Sequence, residues 1–101
     1  MDKKELIRQA ICAQRLLQFD YEGDSRTVEP HQLGFNQVGH LALSAYWVGG
    51  ASHSAEKSSR WREYLVDGMS CVTVLSSGFS GPRPGYKRAP NGLFMSALAE
   101  L

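Results

Sequence analysis

A chain of 101 residues, 43% hydrophobic and 21% charged, points to one small globular domain and excludes wholesale disorder. Eleven basic and ten acidic residues leave a net charge of +1, which by itself selects no class of partner. The opening "MDKKELIRQA" lacks the apolar core of a signal peptide and no apolar run is long enough for a bilayer, so a cytoplasmic location is expected.

The first fifteen residues read as a helix. Asp2 is placed to cap it, and Glu5 stands three residues on, where a capping box needs an acid. Leu6, Ile7, Ala10, Ile11 and Gln14 fall on one stripe, with Lys4, Arg8 and Arg15 off it. Such a short amphipathic helix needs a surface to pack on. The period then changes. Leu17, Phe19 and Tyr21 alternate with Gln18 and Asp20, as in a strand, and "EGDS" reads as a turn. A second strand runs from about residue 26 to 35. Pro30 interrupts it, and because proline is confined to sheet edges and bulges, it marks a bend. "NQVG" turns the chain again. "HLALSAYWV" is apolar on both faces and reads as a central strand. "GGASHSAEKSS" reads as a mobile hairpin loop, and "RWREYLV" and "MSCVTVL" as two more strands joined tightly at "DG".

The last quarter is different. "SSGFSGPRPGYKRAPNG" has no periodicity and reads as an extended arm, while "LFMSALAEL" spaces its apolar residues as a short helix. The organisation predicted is one domain over residues 1–101: a helix (1–15), a mainly-β five-stranded antiparallel barrel (16–76), then the arm and a short C-terminal helix (77–101). Closing the sheet removes its exposed edges. Cys12 and Cys71 lie in apolar contexts without metal-type spacing and are expected to be buried and reduced.

At this point the residues carry a resemblance. "VEPHQLGF", then "GHLALSAYW", then "RWREYLVDGM", with the tail "FSGPRPGYKR", together resemble a short stand-alone protein of the WYL domain family. Trp61, Arg62, Tyr64 and Asp67 match the family's pattern. Leu65 and Gly68 stand where arginines are usual, and His31 where a tyrosine is frequent. Of the three naming residues, at Leu41, Ala42 and Leu43, only the last leucine is kept. The resemblance implies an Sm-like, SH3-type barrel that senses nucleic acid or nucleotide-like ligands in bacterial transcription regulation.

The candidate site follows from strand alternation. Arg60, Arg62 and Tyr64 project from one side and Trp61 from the other, towards the core. Two guanidinium groups beside an aromatic ring suit phosphate capture and base stacking, with Arg26 and His31 nearby and Tyr64 or Tyr46 as the stacking face. The bland alternative is a solvated strand on which Arg62 pairs with Glu29 or Asp20. Between Asp67 and Glu100 the chain has no acid, and Arg83, Lys87 and Arg88 there flank Tyr86 as a second candidate patch for nucleic acid. Alternatively, Phe79 and Tyr86 pin the arm to the barrel and those charges face water. His31 and His40, with Glu29, lack metal-ligand spacing, and His53 sits in the loop, so no metal is expected. No nucleophile–base pair, phosphate loop, cofactor motif or helix-turn-helix is present. Two readings remain: a non-enzymatic sensor of nucleic acid or a nucleotide-like anion, or a structural module acting through a homodimer or protein partner.

Overall fold

The computed structural model describes residues 2–50 and 60–101 of the chain. The loop expected over residues 49–59 therefore lies mostly outside the described residues, as does His53. Helix α1 spans Lys3–Ala13, followed by strands β1 (Arg15–Tyr21), β2 (Asp24–Asn36), β3 (Leu41–Gly50), β4 (Trp61–Leu65), β5 (Met69–Gly78) and β6 (Phe94–Glu100). A single 3-10 turn, Val66–Gly68, links β4 to β5.

Local chemistry accounts for most boundaries. The Glu5 N–H donates to the Asp2 carboxylate at the helix start, while the Glu5 carboxylate pairs with Arg8 instead of completing a capping box. Gln14 closes the helix in the left-handed region, at φ 53°. Between β1 and β2, Glu22 and Gly23 both have positive φ, 52° and 84°, the geometry that matches strand twist in a two-residue hairpin. In the next turn the Asn36 side-chain Oδ1 accepts from the N–H groups of Val38 and His40.

The strands form an antiparallel sheet ordered β4-β3-β2-β1-β5, and β6 adds to β2 beyond the stretch that β1 covers. Ile7, Ala10 and Ile11 of α1 enter the core with Leu17, Phe19, Val28, Leu33, Leu43, Tyr64 and Met69. The helix thus packs on one face of the sheet. The sheet rolls far enough for the Leu65 N–H to donate to the Tyr21 hydroxyl at 3.2 Å. It does not close into the expected barrel: β4 and β5 end the sheet on opposite sides and no ladder joins them. "DG" accordingly is no hairpin but the crossing from one sheet edge to the other.

Two more expectations fail. No C-terminal helix forms: residues 94–100 are a strand that supplies hydrogen bonds to β2 from Gln32 to Asn36. Cys12 and Cys71 are free but exposed. Cys12 follows Ile11 by one position, which turns it about 100° away from the buried stripe. Cys71 sits at positive φ, 53°, in β5.

Strand β6 lies so close to β2 that a Cβ on Gly34 would sit 2.0 Å from the Ser96 carbonyl oxygen and 2.8 Å from Ala97 Cα. Both are backbone atoms and cannot swing aside. Gly34→Ala is expected to cost about 1–3 kcal/mol, a fall of several degrees in melting temperature by circular dichroism. An unchanged melting temperature would show that β6 is not packed against β2 in this way.

Candidate functional site

The break at Pro30 is a bulge. Pro30 pairs with Ala45 and Gln32 with Ser44, so His31 is the extra residue on β2. One effect is to bring Glu29, His31 and Gln32 to the sheet face opposite the helix. Cross-strand pairing extends this face into two rows, Glu29–Tyr46–Trp61 and Gln32–Ser44–Glu63.

Glu29, His31 and Gln32 are all buried. Buried polar groups need partners, and the segment after β5 provides them. Arg83 forks Glu29, with Nε and Nη2 donating to the two carboxylate oxygens at 2.7 and 2.8 Å, and its guanidinium lies 4.6 Å from the Tyr46 ring centroid. The Arg83 backbone N–H donates to His31 Nε2 at 3.0 Å. His31 Nδ1 is 2.8 Å from the Glu29 carbonyl oxygen. An amide N–H needs an acceptor and a carbonyl needs a donor, so His31 is neutral with its proton on Nδ1. Burial pushes its pKa down, against the smaller opposing pull of the Glu29 backbone. Trp61, Phe79 and Tyr86 surround the imidazole, with centroids at 4.7, 5.6 and 5.4 Å.

Gln32 extends the docking. Its Nε2 donates to a Glu100 carboxylate oxygen at 2.8 Å, and its Oε1 accepts from Asn91 Nδ2 at 3.1 Å. The Asn91 oxygen in turn accepts from the N–H groups of Leu93 and Phe94. Between this irregular segment and the sheet a cleft of about 400 Å³ remains. Gln32, Ser44, Trp61, Arg62 and Glu63 line the sheet side, and Tyr86, Lys87, Asn91 and Leu93 line the other. Its walls combine an aromatic pair, near-parallel Trp61 and Tyr86, with amides and Lys87.

The candidate residues therefore separate. Arg62 lines the cleft, and its Nη1 donates to the Trp61 carbonyl at 3.0 Å. Glu29, the expected partner of Arg62 in the solvated-strand reading, is forked by Arg83. Trp61, expected in the core, is a wall of the cleft, and Tyr64, expected at the surface, is 1% exposed among Phe19 and Tyr21. Burial raises the Tyr64 pKa. Arg26 is buried beside the same tyrosine rings, so it does not share a groove with His31. Arg60 lies 5.0 Å from the Trp47 ring. In the second patch, Arg88 Nε donates to the Leu101 carbonyl at 2.8 Å, leaving Lys87 at the cleft. His40 is exposed in the β2–β3 turn, and both ring nitrogens of His31 are engaged. Among the described residues no three His, Cys, Asp or Glu side chains converge as metal ligands. Gln32, Asn91 and Glu100 were not singled out in the sequence. The "PHQ" bulge carried the only signal for Gln32.

Among known proteins, the family model described as the WYL domain matches residues 2–74. No curated relative and no solved structure matches the chain. The matched stretch holds the sheet side of the cleft, and the opposing wall, residues 85–93, lies beyond it.

A lowered folded-state pKa at His31 makes stability depend on pH in one direction. Above the ordinary histidine value of about 6.5 both folded and unfolded chains hold it neutral, and its contribution is complete. As pH falls below that value the unfolded chain takes up the proton first, so stability drops until the folded pKa is passed, by at most about 1.4 kcal/mol per pH unit. Urea unfolding between pH 7.5 and 5 is expected to show this loss, and His31→Gln to reduce the slope. Equal slopes in both proteins would contradict the neutral histidine.

Proposed function

The chain belongs to the WYL domain family, whose members are ligand-sensing domains typical of transcription regulators, and we propose that it senses a small nucleotide-like anion in the cleft beside Trp61. The supporting observation is the cleft itself. Its volume suits a ligand the size of one nucleotide, not a strand. Lys87 offers charge to a phosphate, the Trp61 and Tyr86 rings offer an aromatic wall, and Ser44 offers a hydroxyl to a base edge. The role is non-enzymatic and regulatory, in the cytoplasm of a bacterium, within the Sm-like, SH3-type plan that the family resemblance implies. Arg60, Arg26, Tyr64 and His31 drop to supporting parts. Among the described residues no helix is long and apolar enough to cross a membrane.

A second reading, a module acting through a protein partner, has its own observation. A Cβ on Gly68 would already stand 3.0 Å from the Tyr21 ring, so the arginine usual there in the family requires that ring to shift.

Calorimetric titration with nucleoside monophosphates at two salt concentrations tests the sensing reading. Binding is expected to be salt-sensitive, to weaken about tenfold or more in Lys87→Ala, and to be unchanged in Tyr64→Phe, whose ring is in the core. Absence of binding at low salt would refute it.

A further inference from the structure

Residues 83–86, Arg-Pro-Gly-Tyr, form a β-turn: the Tyr86 N–H donates to the Arg83 carbonyl at 3.2 Å, and Gly85 takes φ 94° after Pro84. A turn of this kind brings its first and fourth residues close together. Here the two side chains meet the same sheet face, Arg83 on Glu29 and Tyr46, and Tyr86 against Trp61. The backbone of the turn is read as well. The Arg83 N–H donates to His31 Nε2, and the Pro84 carbonyl accepts from the Trp61 indole N–H at 3.0 Å.

The two partners are unequally exposed. Arg83, Pro84 and Gly85 are at the surface, whereas Glu29 and His31 beneath them are buried. With the turn lifted away, the sheet would present an acid, an imidazole acceptor, an indole donor and a tyrosine face held by three hydrogen-bonded strands. A guest with a guanidinium, a free N–H and a carbonyl at this spacing satisfies all four, and a guest without the guanidinium leaves the carboxylate uncompensated. The connection from β5 to the turn contains Gly81 at φ 128°. Such a joint permits exchange between an internal and an external guest.

We propose that this face, Glu29, His31, Tyr46 and Trp61, is a receptor for an Arg-Pro-Gly-aromatic turn on a separate polypeptide, with the chain's own Arg83–Tyr86 turn as its resident competitor. The partner is defined by chemistry: an arginine opening a tight turn with an aromatic residue three positions later. This goes beyond the cleft reading and does not depend on a nucleotide being bound.

The test uses the full chain and a fluorescein-labelled peptide copied from residues 80–88, SGPRPGYKR, read by fluorescence anisotropy. Arg83→Ala weakens the resident turn, so its protein is expected to bind the peptide about tenfold or more tighter than the wild-type chain does. Adding Glu29→Gln is expected to remove that gain, and so is replacing the peptide's arginine by alanine. Arg83→Lys, which keeps the charge and loses the fork, is expected to lie between. Equal affinity of wild-type and Arg83→Ala chains, with both shown folded by circular dichroism, would overturn the proposal, as would binding indifferent to Glu29→Gln. If Arg83→Ala fails to fold, the comparison of wild type with Arg83→Lys decides in the same way. A wild-type dimer in light scattering that Arg83→Lys dissolves would overturn the separate partner in favour of a second copy.

Discussion

One extra residue in one strand determines what the rest of the molecule must do. Strand β2 is thirteen residues long, and its bulge falls where its partner on one edge changes from β1 to β6 while β3 follows its other edge. The bulge at His31 adds Gln32 to the face that already carries Glu29 and His31, and that face is then buried. A buried carboxylate, imidazole and amide each cost free energy unless hydrogen-bonded, and within β2 only the imidazole Nδ1 finds a partner, the Glu29 carbonyl. Arg83 answers the first two, and Asn91 and Glu100 the third. The irregular path of residues 79–93 is therefore specified by side chains, not by a ladder. The cleft is the space this docking leaves open.

Much of this frame could be read from periodicity and turn chemistry. The helix with its Asp2 cap, both hairpin turns and the bend at Pro30 are local features, and local features survive in a sequence. Failures came where a distant partner decides. "LFMSALAEL" fits a helix or a strand about equally well, and the open edge of β2, together with the space left by Gly34, selects the strand. Strand β4 shows the same dependence. Alternation correctly separated Trp61 from Tyr64, but the side that meets the core was inverted. That side is fixed by the pairing of Tyr64 with Leu43 and of Trp61 with Tyr46, which no single segment reveals. Closure of the barrel likewise depends on whether β4 meets β5, and the sheet leaves those two strands at opposite ends.

The functional geometry divides along the same line. The family-matched residues 2–74 bring the sheet, with Trp61 and Arg62, and the later segment brings Tyr86, Lys87 and Asn91. A ligand in the cleft touches both parts at once, so its binding free energy and the docking of the segment are linked. Trp61 joins the two sites: one edge of its indole faces the cleft, and its N–H holds the Pro84 carbonyl. What enters the cleft and what holds the turn thus meet at a single side chain.

The protonation pattern of His31 tests this account most directly, because the imidazole is where the bulge and the docked segment join. A long-range proton–nitrogen correlation spectrum at neutral pH reads the two ring nitrogens separately. The account predicts a protonated Nδ1 and a bare Nε2, with a hydrogen-bond coupling from the Arg83 amide to Nε2. A proton on Nε2, or a ring charged at neutral pH, would contradict it.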